Sequence, residues 1–181
     1  MKAIVAAAAL TAALVSSPAW ATLAVGADAP DFTATASLGG KEFSFSLADA
    51  LKKGPVVLYF YPAAFTPGCT VEAHDFAEAI PQYQALGATV IGVSHDNIAT
   101  LDKFSVSDCR KKFAVVADPD GKVIKAYDSA LPQNPAYANR TSYVIAPDGK
   151  VLFTYTELNP DKHVELTMDA VKKWRADHPA K

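Results

Sequence analysis

In Phe65-Thr66-Pro67-Gly68-Cys69-Thr70 a cysteine follows a hydroxyl by three residues and a glycine by one. Upstream lies the apolar run Val56-Val57-Leu58-Tyr59-Phe60-Tyr61-Pro62 and downstream a helical pattern, so the sulfur falls at a strand-to-helix junction. Sulfur attacks as thiolate. A free thiol titrating near ~8.5 is only about 3% ionised at neutrality, and lowering it to ~6 ionises roughly nine tenths, a gain of about thirtyfold. Two sources of such a shift are legible. One is the amides and dipole of the helix expected to begin at Cys69, with Pro67 favouring the tight entry; the other is a cation delivered from elsewhere. Glu72 and Asp75 oppose it, because nearby carboxylates disfavour another negative charge. The competing reading is a small buried hydrophobe, the commonest fate of a free cysteine. Thr66-Pro67-Gly68 is poor core material at a corner suited to binding groups, which favours a functional thiol.

The elements that must hold this corner are readable from periodicity. Residues 32–36 and 42–46 alternate apolar and polar around Leu38-Gly39-Gly40-Lys41, an N-terminal β-hairpin. A short helix at 47–52 precedes the apolar strand 56–61. The helix at 69–86 carries Ala73, Phe76, Ala77, Ile80 and Tyr83 on one face, with a kink expected at Pro81. Strand 89–93, helix 97–107 with Ile98, Leu101 and Phe104 inward, strand 113–117 and a short helix at 122–127 come next. Residues 128–139 read as loop. Strands 141–145 and 151–155 flank Pro147-Asp148-Gly149-Lys150, and a helix at 161–176 closes the chain. This order predicts an α/β fold, a central mixed β-sheet with helices on both faces.

The sequence has 181 residues and a formal net charge of −2, with Lys and Arg scattered. Without a basic stripe, neither nucleic acid nor an anionic membrane surface is an expected partner. Lys2, the apolar run 3–15 and Ala19-Trp20-Ala21 read as a cleaved signal peptide over residues 1–21, too short to span a membrane. Residues 22–181 then form one domain, periplasmic or secreted. Export places Cys69 and Cys109 in an oxidising compartment, where each must be buried, paired or recycled. His95, His163 and His178 show no metal spacing with one another or with the cysteines, so neither metal nor cofactor is expected.

At these residues the chain resembles the peroxiredoxins. Pro62-Ala63-Ala64-Phe65-Thr66-Pro67-Gly68-Cys69 matches that family's Pro-x-x-x-Thr-x-x-Cys signature. Ala29-Pro30-Asp31-Phe32, Asp118-Pro119-Asp120-Gly121 and Arg140-Thr141-Ser142-Tyr143-Val144-Ile145 agree as well. Thr-Pro-Gly-Cys followed by Thr70 and Glu72 is most similar to the bacterioferritin comigratory protein, or peroxiredoxin Q, branch. The resemblance implies a thioredoxin-like fold in which Thr66 replaces the first cysteine of a Cys-x-x-Cys pair. It implies that Cys69 is the peroxidatic nucleophile attacking hydrogen peroxide or organic hydroperoxides and becoming a sulfenic acid. Thr66 would hydrogen-bond sulfur and peroxide, Arg140 would hold the thiolate and polarise the oxygen pair, and Pro62 would cover the site. The Gly68 and Cys69 amides would bind substrate. A thioredoxin-like or other dithiol reductant would be the partner. Read without the resemblance, Arg140 is an ordinary surface residue.

The chain departs from the branch where a second cysteine often lies five residues after the first, because that position is His74. Cys109 is the only other thiol, and some members of the branch carry their resolving cysteine in that region. The expectation is an intramolecular Cys69–Cys109 disulfide within a monomer. Closing it requires Cα atoms about 4.4–6.8 Å apart, so the first turn of the Cys69 helix must unwind. His74 lies about 140° from Cys69 around a helix and does not face it. Two other readings stand beside the peroxidase. One is a thiol-disulfide exchange protein, which the missing Cys-x-x-Cys disfavours. The other is a binding or holdase module with a non-catalytic thiol, whose function Cys69→Ser would leave intact.

Overall fold

Gly39 and Gly40, at φ 57° and 77°, form a two-residue turn that only residues tolerant of the left-handed region can make. The turn joins β1 (Thr33–Leu38) to β2 (Lys41–Ser46) in the register Leu38↔Lys41 to Thr33↔Ser46. The structure is a computed structural model that describes residues 22–179; the expected signal at 1–21 lies outside them. Ser46 caps α1 (Leu47–Leu51) by accepting from the Asp49 amide. Next come β3 (Val56–Phe60), α2 (Pro67–Ala85), β4 (Thr89–Ser94), α3 (Ile98–Ser107), β5 (Ala114–Ala117) and α4 (Lys122–Ala126). The chain ends in β6 (Ala130–Leu131), β7 (Asn134–Ala138), β8 (Thr141–Ile145), β9 (Val151–Thr156), a 3-10 turn (Pro160–Lys162) and α5 (His163–Asp177).

Seven strands form one mixed sheet in the order β2-β1-β5-β4-β3-β8-β9. β3, β4 and β5 run parallel, while β8 and β1 flank them antiparallel. Every residue of β3 is buried, and alternation sends successive side chains to opposite faces. Val57 and Tyr59 pack under α2, α3 and α5 with Phe76, Phe104 and Val171. Val56, Leu58 and Phe60 pack under α1 and α4 with Leu47, Leu51 and Ile124. The helices thus cover both faces in the thioredoxin-like arrangement, and burying a side chain such as Phe76 contributes roughly 1.5–3 kcal/mol.

Two segments differ from the sequence reading. Residues 128–139, read as loop, contain the hairpin of β6 and β7, a separate two-stranded sheet. Its strands are short, and β7 carries Pro135 within an exposed run, so period-2 burial leaves no signal. α2 starts at Pro67 rather than Cys69, because proline at the first helical position is pre-set for the helix and gives up a hydrogen bond that position never makes. The helix continues through Pro81, anchored by the buried face Ala73, Phe76, Ala77, Ile80 and Tyr83.

Candidate active site

Where β3 ends, the Tyr61 amide still bonds to Val93 O (3.1 Å), and the chain then turns over residues 62–66. Asp96, at the end of β4, pins that turn by accepting from the Ala64 amide and the Ser94 hydroxyl, each at 2.8 Å. Phe65 sits at φ 63°, a left-handed conformation costly for a bulky side chain, and its half-exposed ring meets Phe104 of α3 edge-on at 5.3 Å. Thr66 is extended and leads into Pro67. The first helical bond runs from Thr70 N to Thr66 O (2.9 Å), so the Gly68 and Cys69 amides precede the ladder and lie at the positive end of the helix dipole.

Cys69 is only 2% exposed. Arg140, seventy-one positions away and directly before β8, places Nη2 3.5 Å from its sulfur. The placement follows from sheet pairing: Thr141 is opposite Phe60, which brings Arg140 to the strand end from which the Cys69 turn departs. Its Nε donates to Leu158 O (2.8 Å) and its Nη1 to Glu72 Oε2. Burial opposes the guanidinium's charge, but Glu72 and Cys69 outweigh it and raise its pKa. Gly68 makes room for this, because a β-carbon there would stand 3.0 Å from Nη2.

The expected set is thus partly assembled. Cys69, Arg140 and Gly68 come together, and Pro62 is half-buried on the same turn. The Thr66 hydroxyl donates instead to Ala63 O (2.9 Å), not to the sulfur. Cys109 is fully buried just beyond α3 in the same apolar cluster as Cys69, and both thiols are free. Burial, with Asp108 adding to it, pushes the Cys109 thiol up, so it rests as the unreactive neutral form. Arg110 and Lys111 follow it at φ 50° and 59°. His74 faces this segment, with Nε2 3.8 Å from Asp108 Oδ1.

Glu72 has a larger part than an opposing charge. It is completely buried, bonded to Arg140, and pushed by burial up to about 8 against the pull of that guanidinium. His163, at the start of α5 and equally buried, sits 3.7 Å from its other oxygen. Ser142 Oγ lies 2.8 Å from His163 Nδ1, and Glu157 O lies 2.9 Å from Nε2. The spacing Cys69–Glu72 (i, i+3) was the available signal for the acid, since it stacks both on one helix face. His163 gave none.

A profile of the AhpC/TSA family matches residues 25–154. The chain is 35% identical to the chloroplastic peroxiredoxin Q of Triticum aestivum over 79% of its own length and 64% of that protein's. It is 31% identical to peroxiredoxin Bcp of Xanthomonas campestris pv. campestris over 65% of its own length and 76% of that protein's. Among solved structures, peroxidoxin BcpB from Mycobacterium tuberculosis superimposes with a TM-score of 0.75 at 29% identity, covering 82% of this chain and 96% of that one. With the Cys69–Arg140 pair seated at the strand-to-helix junction, the chain belongs to the AhpC/TSA family, in its peroxiredoxin Q and Bcp branch.

Proposed function

We propose that this protein is a thiol peroxidase in which Cys69 reduces hydrogen peroxide and organic hydroperoxides. The observation that carries this reading is the Arg140 guanidinium 3.5 Å from a nearly inaccessible sulfur. Complete ionisation of a thiol supplies at most about thirtyfold at neutral pH, so a fast reaction needs donors aimed at charge developing on the leaving oxygen. Arg140 and the Gly68 and Cys69 amides are those donors. Attack by the Cys69 thiolate forms an S–O bond and breaks the O–O bond; the departing oxygen takes a proton and leaves as water or alcohol. Cys69 is then a sulfenic acid. Pro62 shields the site, and Thr66 reaches the peroxide by turning its hydroxyl from Ala63.

Cys109 then attacks the Cys69 sulfur, forming an S–S bond and expelling the sulfenic oxygen as water. A dithiol of thioredoxin type supplies the two electrons that restore both thiols. Because Cys109 rests buried and protonated, its segment must open before it can attack, and the left-handed Arg110 and Lys111, each costing about 1–3 kcal/mol, favour opening. One chain completes the cycle, so a monomer suffices, and the signal-like residues 1–21 favour export to the periplasm or out of the cell.

Intact-mass analysis of reduced protein after one equivalent of hydrogen peroxide tests both halves. The wild type gains an internal disulfide, and Cys109→Ser stops at sulfenic or over-oxidised Cys69. Sulfenic acid in both would leave a one-cysteine enzyme, and no oxidation in either would end the peroxidase reading in favour of disulfide exchange or a binding module.

A further inference from the structure

Behind Arg140 lies a buried acid–imidazole pair that the peroxide chemistry does not use. Glu72 and His163 are both fully buried, and Glu72 Oε1 has no hydrogen-bond partner among the described residues. Its nearest ring atom is His163 Nδ1, at 3.7 Å. The other ring nitrogen settles the tautomer. Glu157 O can only accept, so Nε2 carries the hydrogen, and in a neutral ring Nδ1 is a lone pair that accepts from the Ser142 hydroxyl at 2.8 Å and offers Glu72 no hydrogen.

A carboxylate oxygen that faces a lone pair at 3.7 Å and receives no hydrogen is unfavourable in a dry pocket, and protonation removes its charge. Burial, offset in part by the Glu157 carbonyl, lowers His163 to about 4, and burial raises Glu72 to about 8, both in the direction this geometry requires. We propose that His163 is a positioning residue: as a neighbour that only accepts, it holds Glu72 protonated and so leaves the charge of Arg140 to the Cys69 sulfur. Ionised Glu72 would draw the guanidinium through Nη1 and divide its charge between two anions; protonated Glu72 accepts the same Nη1 hydrogen without that division.

The groups facing the pair are few. Arg140 and Ser142 approach from the β8 segment, Glu157 and Tyr155 from the end of β9, and Cys69 and Asp75 from α2. Asp75 adds to the pressure against a charged Glu72, whereas Arg140 opposes it and also lowers His163.

The inference rests on Cys69 as the working thiol, and its test avoids peroxide. The rate of iodoacetamide alkylation of Cys69 is followed against pH in a Cys109→Ser background, which leaves one thiol. His163→Asn puts an amide where Nδ1 stands and offers Glu72 a hydrogen; alkylation at neutral pH is expected to fall about tenfold, the change produced by one unit of titration. His163→Gln restores the donor to Glu157 without a hydrogen toward Glu72 and is expected to alkylate as the wild type does. The wild-type infrared spectrum, differenced against Glu72→Gln, should show a protonated carboxyl at neutral pH that vanishes above about pH 8. Superposable alkylation curves for His163→Asn and wild type, or no protonated-carboxyl band in the wild type, would overturn the proposal. Failure of peroxide turnover with these titrations as expected would instead remove the peroxidase reading alone.

Discussion

Arg140 and Gly68 touch because Gly68 lacks a side chain: a β-carbon there would sit 3.0 Å from the guanidinium Nη2. A glycine one residue before the nucleophile is therefore a steric requirement of the cation's approach. Gly68→Ala is expected to crowd Arg140 away from the sulfur by a few tenths of an ångström and slow the peroxide reaction about tenfold, below the ~10²-fold cost of a full ångström. Thermal stability should change little, since the helix preference for alanine over glycine, roughly 0.5–1 kcal/mol, offsets the crowding of the buried Arg140. Quenched-flow oxidation and a melting curve on one sample check both.

Arg140→Lys keeps the charge and loses the fork. Arg140 bonds Leu158 O, Glu72 and the sulfur from three different nitrogens, and a lysine ammonium cannot span that set. The rate constant for oxidation of Cys69 should fall about 10²–10³-fold, as for removal of one aligned donor from an anionic transition state. Rapid-quench mass spectrometry of the first turnover is the measurement.

Phe65→Ala acts on the later step. Alanine keeps the left-handed strain at φ 63° and removes the ring contact that ties the Cys69 turn to α3, so the turn opens more readily. Disulfide formation should accelerate, and the fraction of Cys69 over-oxidised at high peroxide should fall. Slower disulfide formation would show that Phe65 guides the two thiols together rather than holding them apart.

Stability should carry the signature of two buried groups with opposite shifts. Glu72, raised from 4.5 to about 8, binds its proton more tightly when folded, so its contribution falls as pH rises between those values. His163, lowered from 6.5 to about 4, binds its proton less tightly when folded, so its contribution falls as pH drops from 6.5 towards 4. The slopes oppose each other below pH 6.5, and above it Glu72 acts alone. Denaturant midpoints from pH 6.5 to 8 should decline in wild type and flatten in Glu72→Gln; a wild-type slope retained in Glu72→Gln would assign it to other groups.

The sheet was legible because its strands carry strong local patterns: Val56–Phe60 is apolar throughout and Thr33–Leu38 closes on a Gly-Gly turn. Cys69 was legible because its turn chemistry is local. Arg140 was readable only through resemblance, since nothing near it in sequence says that β8 pairs with β3 and carries it to the sulfur. Glu72 looked like an obstacle to the thiolate because spacing along a helix cannot show which partner waits across the core. His163 and the β6–β7 hairpin left no pattern at all. One acts through a contact made only by docking α5, and the other alternates too briefly to register.

The order of parts along the chain has a consequence for biogenesis. The sulfur emerges from the ribosome early, its cation 71 positions later, and the buried imidazole later still, on the last helix. Until β8 and that helix seat, no guanidinium stands beside the sulfur and the Glu72–His163 pair behind it is unformed. The site is thereby assembled late, from parts that leave the ribosome far apart.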